Sequence, residues 1–128
     1  MPLVTNQWLL IIEVINLKKS NVLKKSTDFD RIIHNNKSFC YRNYIIYVEK
    51  SNNINSYHFG LSVGKKVGNA VTRNHIKRQL RAIIDEKCYQ NGFNCIIIVK
   101  KGILEESFDS MKNNLFIAFE KLNILKEN

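Results

Sequence analysis

The sequence predicts an α+β domain, a two-layer α/β sandwich whose elements run α-β-β-α-β-α. Three segments carry that expectation. Phe39 to Val48, FCYRNYIIYV, is dense in aromatic and β-branched residues, the composition of a strand. Phe93 to Val99 is an apolar run of strand length, interrupted only by Asn94, as expected of a buried strand. Phe108, Met111, Leu115, Ala118, Phe119 and Leu122 recur at helical spacing and form one apolar stripe, which reads as core. At 128 residues the chain is one domain, large enough to bury a core, and it shows no repeat and no low-complexity linker.

Taken in order, Met1 to Leu17 stands apart. Its apolar stretch Trp8 to Ile15 is broken by Glu13 and falls short of the ~20 residues that span a bilayer. It also lacks the basic start and small-residue cleavage site of a secretory signal. We set residues 1–17 aside as an extension, better read as translation from an upstream start than as an appended strand or helix, and place the domain at 18–125. Thr27 is placed to cap a short helix through Ile33, with Asp28 and Asp30 near its positive end. The strand at 39–48 follows. Lys50 to Ser56 is a polar turn region, and Tyr57 to Val63 returns from it, which predicts an antiparallel hairpin. The glycine-punctuated Gly64-Lys-Lys-Val-Gly68 opens a segment free of Gly and Pro until Gly92, read as a turn feeding a helix over 68–88. Tyr89 to Gly92 breaks the chain before the strand at 93–99, and Ser107 to Leu122 closes it as a helix. Strand, helix and strand at 57–63, 68–88 and 93–99 make a βαβ unit, whose crossover is ordinarily right-handed.

Charge points to the partner. Twenty Lys and Arg against eleven Asp and Glu leave a net charge of +9, which favours an anionic partner, nucleic acid or a membrane surface. An apolar content of 45% excludes a disordered basic tail. Val63 to Ala82 holds Lys65, Lys66, Arg73, Lys77, Arg78 and Arg81, and no acidic residue lies between Glu49 and Asp85. At 100° per residue Arg73, Asn74, Lys77, Arg78 and Arg81 share one arc, while Ile76, Leu80, Ile83 and Ile84 share its neighbour. One stripe can pack while the other presents forked guanidinium donors that match phosphate oxygens. A solubility face would mix its signs.

Chemistry is not visible in the chain. Its acids are scattered, His34, His58 and His75 have no evident common partner, and no phosphate-cradling glycine loop occurs. Cys40, Cys88 and Cys95 are odd in number and lack metal-ligand spacing, so Cys40 and Cys95 read as small buried hydrophobes in a reduced, cytoplasmic setting. Binding is the expectation, with no catalytic residue, no metal ligand and no small-molecule substrate.

Arg73-Asn74-His75-Ile76-Lys77-Arg78-Gln79-Leu80-Arg81, preceded by Ser62 to Val71, closely resembles the signature of the bacterial ribonuclease P protein subunit. Leu23 to Phe29 is similar to the entry into that family's first helix, Ser38 to Val48 to its first long strand, Tyr57 to Val63 to the second, Cys95 to Lys101 to the third, and Ser107 to Leu122 to its closing helix. The resemblance is colinear from about Lys18 to Leu125. It implies a left-handed crossover in the βαβ unit, contrary to the general rule. It also implies a protein that binds a catalytic RNA and the 5′ leader of precursor tRNA, with Mg2+ held in the holoenzyme with the RNA subunit and no cofactor of the protein's own. By the same resemblance Lys65, Lys66, Asn69, Arg73, Asn74, Lys77, Arg78 and Arg81 are RNA-binding, with backbone N–H groups at Asn69 and Ala70 available to phosphate. Phe29 and Tyr47 line a cleft for the single-stranded leader, with Tyr41 and Tyr44 as weaker aromatic candidates. His75 stands in place of a third arginine, Gly64 in place of a serine, and Ile33 in place of a second cleft aromatic.

Other classes fit less well. A structural RNA-binding module, ribosomal or tRNA-binding, would use the same helix without a role in cleavage. A helix-turn-helix needs two helices across a tight turn, whereas here a strand precedes the basic helix. A membrane surface would need the apolar stripe that the core requires.

Overall fold

The computed structural model describes residues 21–23 and 25–126, so the extension at 1–17 lies outside the described residues. The elements are α1 (Ser26–Asn35), β1 (Ser38–Tyr41), β2 (Tyr44–Lys50), β3 (Tyr57–Val63), α2 (Ala70–Ile84), β4 (Phe93–Val99), a 3-10 turn (Lys101–Glu105) and α3 (Phe108–Leu122). The expected α+β class stands, but the order gains a strand and reads α-β-β-β-α-β-α.

The extra strand arises where the 39–48 run divides. Arg42 and Asn43 form a two-residue turn, with Arg42 at φ 54 in the left-handed region. β1 folds back antiparallel on β2, with Ser38 opposite Tyr47 and Tyr41 opposite Tyr44. An arginine is a poor signal for that conformation, which glycine or asparagine adopts far more readily. The turn is held from outside instead. The Lys100 N–H donates to the Asn43 carbonyl at 2.8 Å, and the Asn43 side-chain amide donates to Glu106.

The sheet order is β1-β2-β4-β3, so the expected hairpin between the 39–48 and 57–63 strands does not form. β4 inserts between them, antiparallel to β2 and parallel to β3. The physical reason lies in β4 itself. FNCIIIV is apolar on both faces and almost wholly buried, and only a central strand covered above and below can hide it. The parallel pairing of β3 with β4 across α2 is the βαβ unit expected.

Along the outer side of β3 the chain pairs once more. Val22 bridges Phe59 in parallel, the Leu23 N–H donates to the Phe59 carbonyl at 2.8 Å, and the Asn21 amide donates to the Tyr57 carbonyl at 2.6 Å. This edge is therefore covered rather than left as a template for another chain.

Helix ends follow local chemistry, with one correction. α1 begins a residue before Thr27, with Lys25 at its cap and no side-chain cap, so Thr27 lies inside the first turn. α2 is shorter than 68–88 at both ends: Asn69 caps its start, accepting from the Thr72 N–H at 2.9 Å, and Asp85 closes it, its N–H donating to the Arg81 carbonyl at 3.0 Å. Ser107 caps α3 in the same way, and α3 ends on Asn123 in the left-handed conformation.

The core lies between one sheet face and the two long helices. Tyr44, Ile46, Phe59, Ile97 and Val99 meet Leu80, Ile83 and Ile84 of α2 and Met111, Leu115, Ala118 and Phe119 of α3. Tyr44 is fully buried and its hydroxyl donates to the Met111 carbonyl at 3.0 Å, so it is core and not a cleft aromatic. Tyr41, paired with Tyr44, packs at the margin of the same cluster. Cys95 is buried as expected. Cys40 is exposed instead, because it belongs to the edge strand β1 on the alternate register.

Candidate nucleic-acid interface

Two surfaces meet around β3. The first is α2. Its arc of Ile76, Leu80, Ile83 and Ile84 is buried to within 4% exposure, as the spacing predicts, which fixes the helix's rotation about its axis. That rotation turns Asn74 and Arg78 to solvent and leaves Arg73, Lys77 and Arg81 partly buried at the flank. Lys65 and Lys66 are exposed in the turn that enters the helix, a turn closed by the Val67 N–H donating to the Gly64 carbonyl at 3.0 Å. Val67 anchors this turn in the core. Nothing lies within 4 Å of a Cβ placed at Gly64, so the serine expected there would fit without displacing anything. His75 is exposed rather than packed.

Five cations of this surface stand outside the ion pairs of the fold. Among the described residues the ion pairs Arg31–Glu49, Arg31–Asp28 and Lys112–Glu86 involve none of Lys65, Lys66, Arg73, Lys77 or Arg81. The Arg73 Nε is buried without a hydrogen-bond partner. Burial lowers the pKa of Arg81, because the guanidinium loses hydration that no carboxylate replaces. Cations held so close to apolar walls gain most from an incoming phosphate. The Asn69 side chain takes the Thr72 N–H for itself, so of the helix-entry donors only those ahead of Thr72 remain for an anion.

The second surface is the sheet face opposite the core. Gly60 of β3, Ile96 of β4 and Tyr47 of β2 stand side by side in register, on strands about 4.8 Å apart. Phe29 of α1 lies directly on Gly60: a Cβ there would sit 2.5 Å from the Phe29 Cζ. Glycine at this position is what lets the aromatic ring approach the sheet. Ile32 of α1 and Ile96 of β4 are fully buried where the helix meets the sheet, while Phe29 and Tyr47 are only partly buried. The aromatic shelf thus has two partly exposed margins, Phe29 and Tyr47, about two strand spacings apart, with Ile96 between them covered by α1. Ile33, at the position where a second aromatic was expected, is partly buried on the same helix.

The sequence left these two surfaces separate, and the fold joins them. Phe29, Phe59 and Leu61 line one cavity of about 240 Å³ together with Lys77 and Arg81 of the basic helix. The aromatic and cationic residues so assembled come from α1, β3 and α2. No spacing in the chain could have shown that, since it depends on which strands are neighbours. Nor was a row of polar side chains one step along the same face foreseen. It comprises Glu49, Asn94 and His58, in register across β2, β4 and β3.

Among the described residues no three His, Cys, Asp or Glu side chains converge as metal ligands would, and no helix is long and apolar enough to cross a membrane. Fold and surface together define a class. This is a small α+β domain with a cationic helix set beside two partly buried aromatics on the sheet face opposite the core.

The family model for ribonuclease P matches residues 17–123. The chain is 37% identical over 113 residues to the ribonuclease P protein component of Listeria monocytogenes, covering 87% of this chain and 95% of that protein. It is 42% identical over 102 residues to that of Lactococcus lactis, covering 77% and 85%. The solved RNase P protein of Staphylococcus aureus superposes with a TM-score of 0.75 at 27% identity, over 84% of this chain and all of that one. The chain belongs to the ribonuclease P protein family.

Proposed function

We propose that this chain is the protein subunit of a ribonuclease P in which an RNA subunit performs the hydrolysis. The cationic face of α2, with Lys65, Lys66, Asn69, Arg73, Asn74, Lys77, Arg78 and Arg81, binds the ribonuclease P RNA. Phe29 and Tyr47, at the margins of the shelf, take the single-stranded 5′ leader of precursor tRNA. Mg2+ resides with the RNA, where the phosphodiester is cleaved, and the complex works in the cytoplasm. The observation that carries this reading is the match of the whole domain to one family, with a cationic face at the positions the resemblance assigns to RNA.

The protein's part is electrostatic and geometric. Two large polyanions must dock, and a basic surface lowers their mutual repulsion while phosphate neutralisation releases condensed counterions. Stacking suits the leader because every base has a π-face, so precursors of different leader sequence can share one shelf.

Titrating the chain into a bacterial ribonuclease P RNA at increasing salt tests the RNA face. The logarithm of the binding constant is expected to fall linearly with the logarithm of salt, by about 0.7–0.9 for each phosphate neutralised. Affinity that ignores salt would remove the cationic face from the interface.

A further inference from the structure

α1 is weakly anchored for a helix that carries a residue proposed to grip the leader. Of its ten residues only Ile32 is fully buried, and no side chain caps its first turn. One polar chain ties it to the sheet. Arg31 Nη1 donates to Glu49 Oε2 at 3.1 Å, Asn94 Nδ2 donates to Glu49 Oε1 at 2.9 Å, and the His58 Nδ1–H donates to Asn94 Oδ1 at 2.8 Å. Arg31 also approaches Asp28 at 3.6 Å, within its own helix.

The placement of this chain gives it a purpose. Glu49, Asn94 and His58 occupy the row next to Tyr47, Ile96 and Gly60 on the same three strands. Asn94 is only 7% exposed, so its amide must be satisfied on both sides, and it is. That fixes the Glu49 carboxylate, which then holds Arg31 two residues along α1 from Phe29. Phe29 rests on Gly60, which offers its ring no side chain to lock against. Its neighbour row supplies the directional bond that apolar contact lacks.

We propose that Arg31, Glu49 and Asn94 are positioning residues that set the height and angle of Phe29 over the sheet and thereby the grip on the 5′ leader. The inference rests on the functional reading above. It assigns these residues no contact with the RNA.

The test uses the full chain with a bacterial ribonuclease P RNA. Binding is measured to a precursor tRNA with a short single-stranded leader and to the same tRNA without one. Glu49→Gln keeps an acceptor for Asn94 but removes the charge that holds Arg31. It is expected to reduce the leader-dependent gain in affinity about two- to fivefold, the range for a partly exposed ion pair, with leaderless tRNA unaffected. Arg31→Met is expected to match it. In a Phe29→Ala background Glu49→Gln should change nothing further, because its effect passes through that ring. Equal losses with and without the leader, full additivity with Phe29→Ala, or no effect in either variant would each overturn the inference. A wild-type protein that gives no leader-dependent gain would overturn the functional reading along with it. Thermal melting separates a folding defect in Glu49→Gln from a positioning one, and Arg31→Met, at a side chain 44% exposed, decides if that variant fails to fold.

Discussion

At the scale of single residues, Gly60 offers the sharpest test of the shelf. A methyl group there meets the Phe29 ring at 2.5 Å from Cζ and 2.9 Å from Cε1, so the ring must move. Gly60→Ala is expected to cost about 1–3 kcal/mol of stability by overpacking. It should also weaken leader binding by up to about tenfold, since one base stack is worth ~1–3 kcal/mol. Denaturant unfolding and binding to tRNA with and without a leader measure the two effects. Leader affinity equal to wild type would show that Phe29 does not set the shelf. The glycine itself is visible in the sequence, but its reason is not, because the ring that requires it lies thirty-one residues away in the chain.

Among the elements, α2 carries the proposed RNA face, and its two arcs were legible locally. One buried and one basic stripe on a single helix follow from 3.6-residue geometry without knowledge of any partner. Arg73→Ala combined with Arg78→Ala is expected to weaken RNA binding and to flatten the salt dependence by about 0.7–0.9 for each phosphate no longer neutralised. Circular dichroism should show the helix intact, because the buried arc is untouched. An unchanged salt slope would move the RNA face elsewhere. The strands tell the opposite story. The bounds of β4 were legible from its apolar run, yet its place between β2 and β3 was not, since strand order is a non-local choice. The division of β1 from β2 was hidden by Arg42, whose left-handed conformation is imposed by bonds from Lys100 and Glu106 to the turn rather than by its own preference.

For the whole molecule, the buried core predicts how stability responds to alkali. Burial raises the pKa of the Cys95 thiol above its ordinary 9.0, and of the Tyr44 and Tyr89 hydroxyls above 10.0, with neighbouring negative charge adding to the effect at the tyrosines. Each group favours its neutral form in the fold. Their contribution is therefore complete below the unfolded values and is lost as pH rises past them. The melting midpoint is expected to hold steady to about pH 8.5 and to fall progressively above about pH 9, with Cys95→Val delaying the onset toward pH 10. A midpoint that stays level beyond pH 10 would mean that these groups titrate in the fold as they do in water. The α+β class, the basic exterior and the family were legible, whereas the order of elements gained a strand. The cavity that brings Phe29 to Lys77 and Arg81 was not legible, because three elements must first find their places.

The most direct test of the central claim is cleavage of a 5′-extended precursor tRNA at low magnesium. Three samples suffice: the protein alone, a bacterial ribonuclease P RNA alone, and the two together. Efficient removal of the leader is expected only in the mixture, with nothing from the protein alone. Binding of the RNA without stimulation would contradict the claim and leave a structural RNA-binding protein. Cleavage by the protein alone would place an active site on the chain itself.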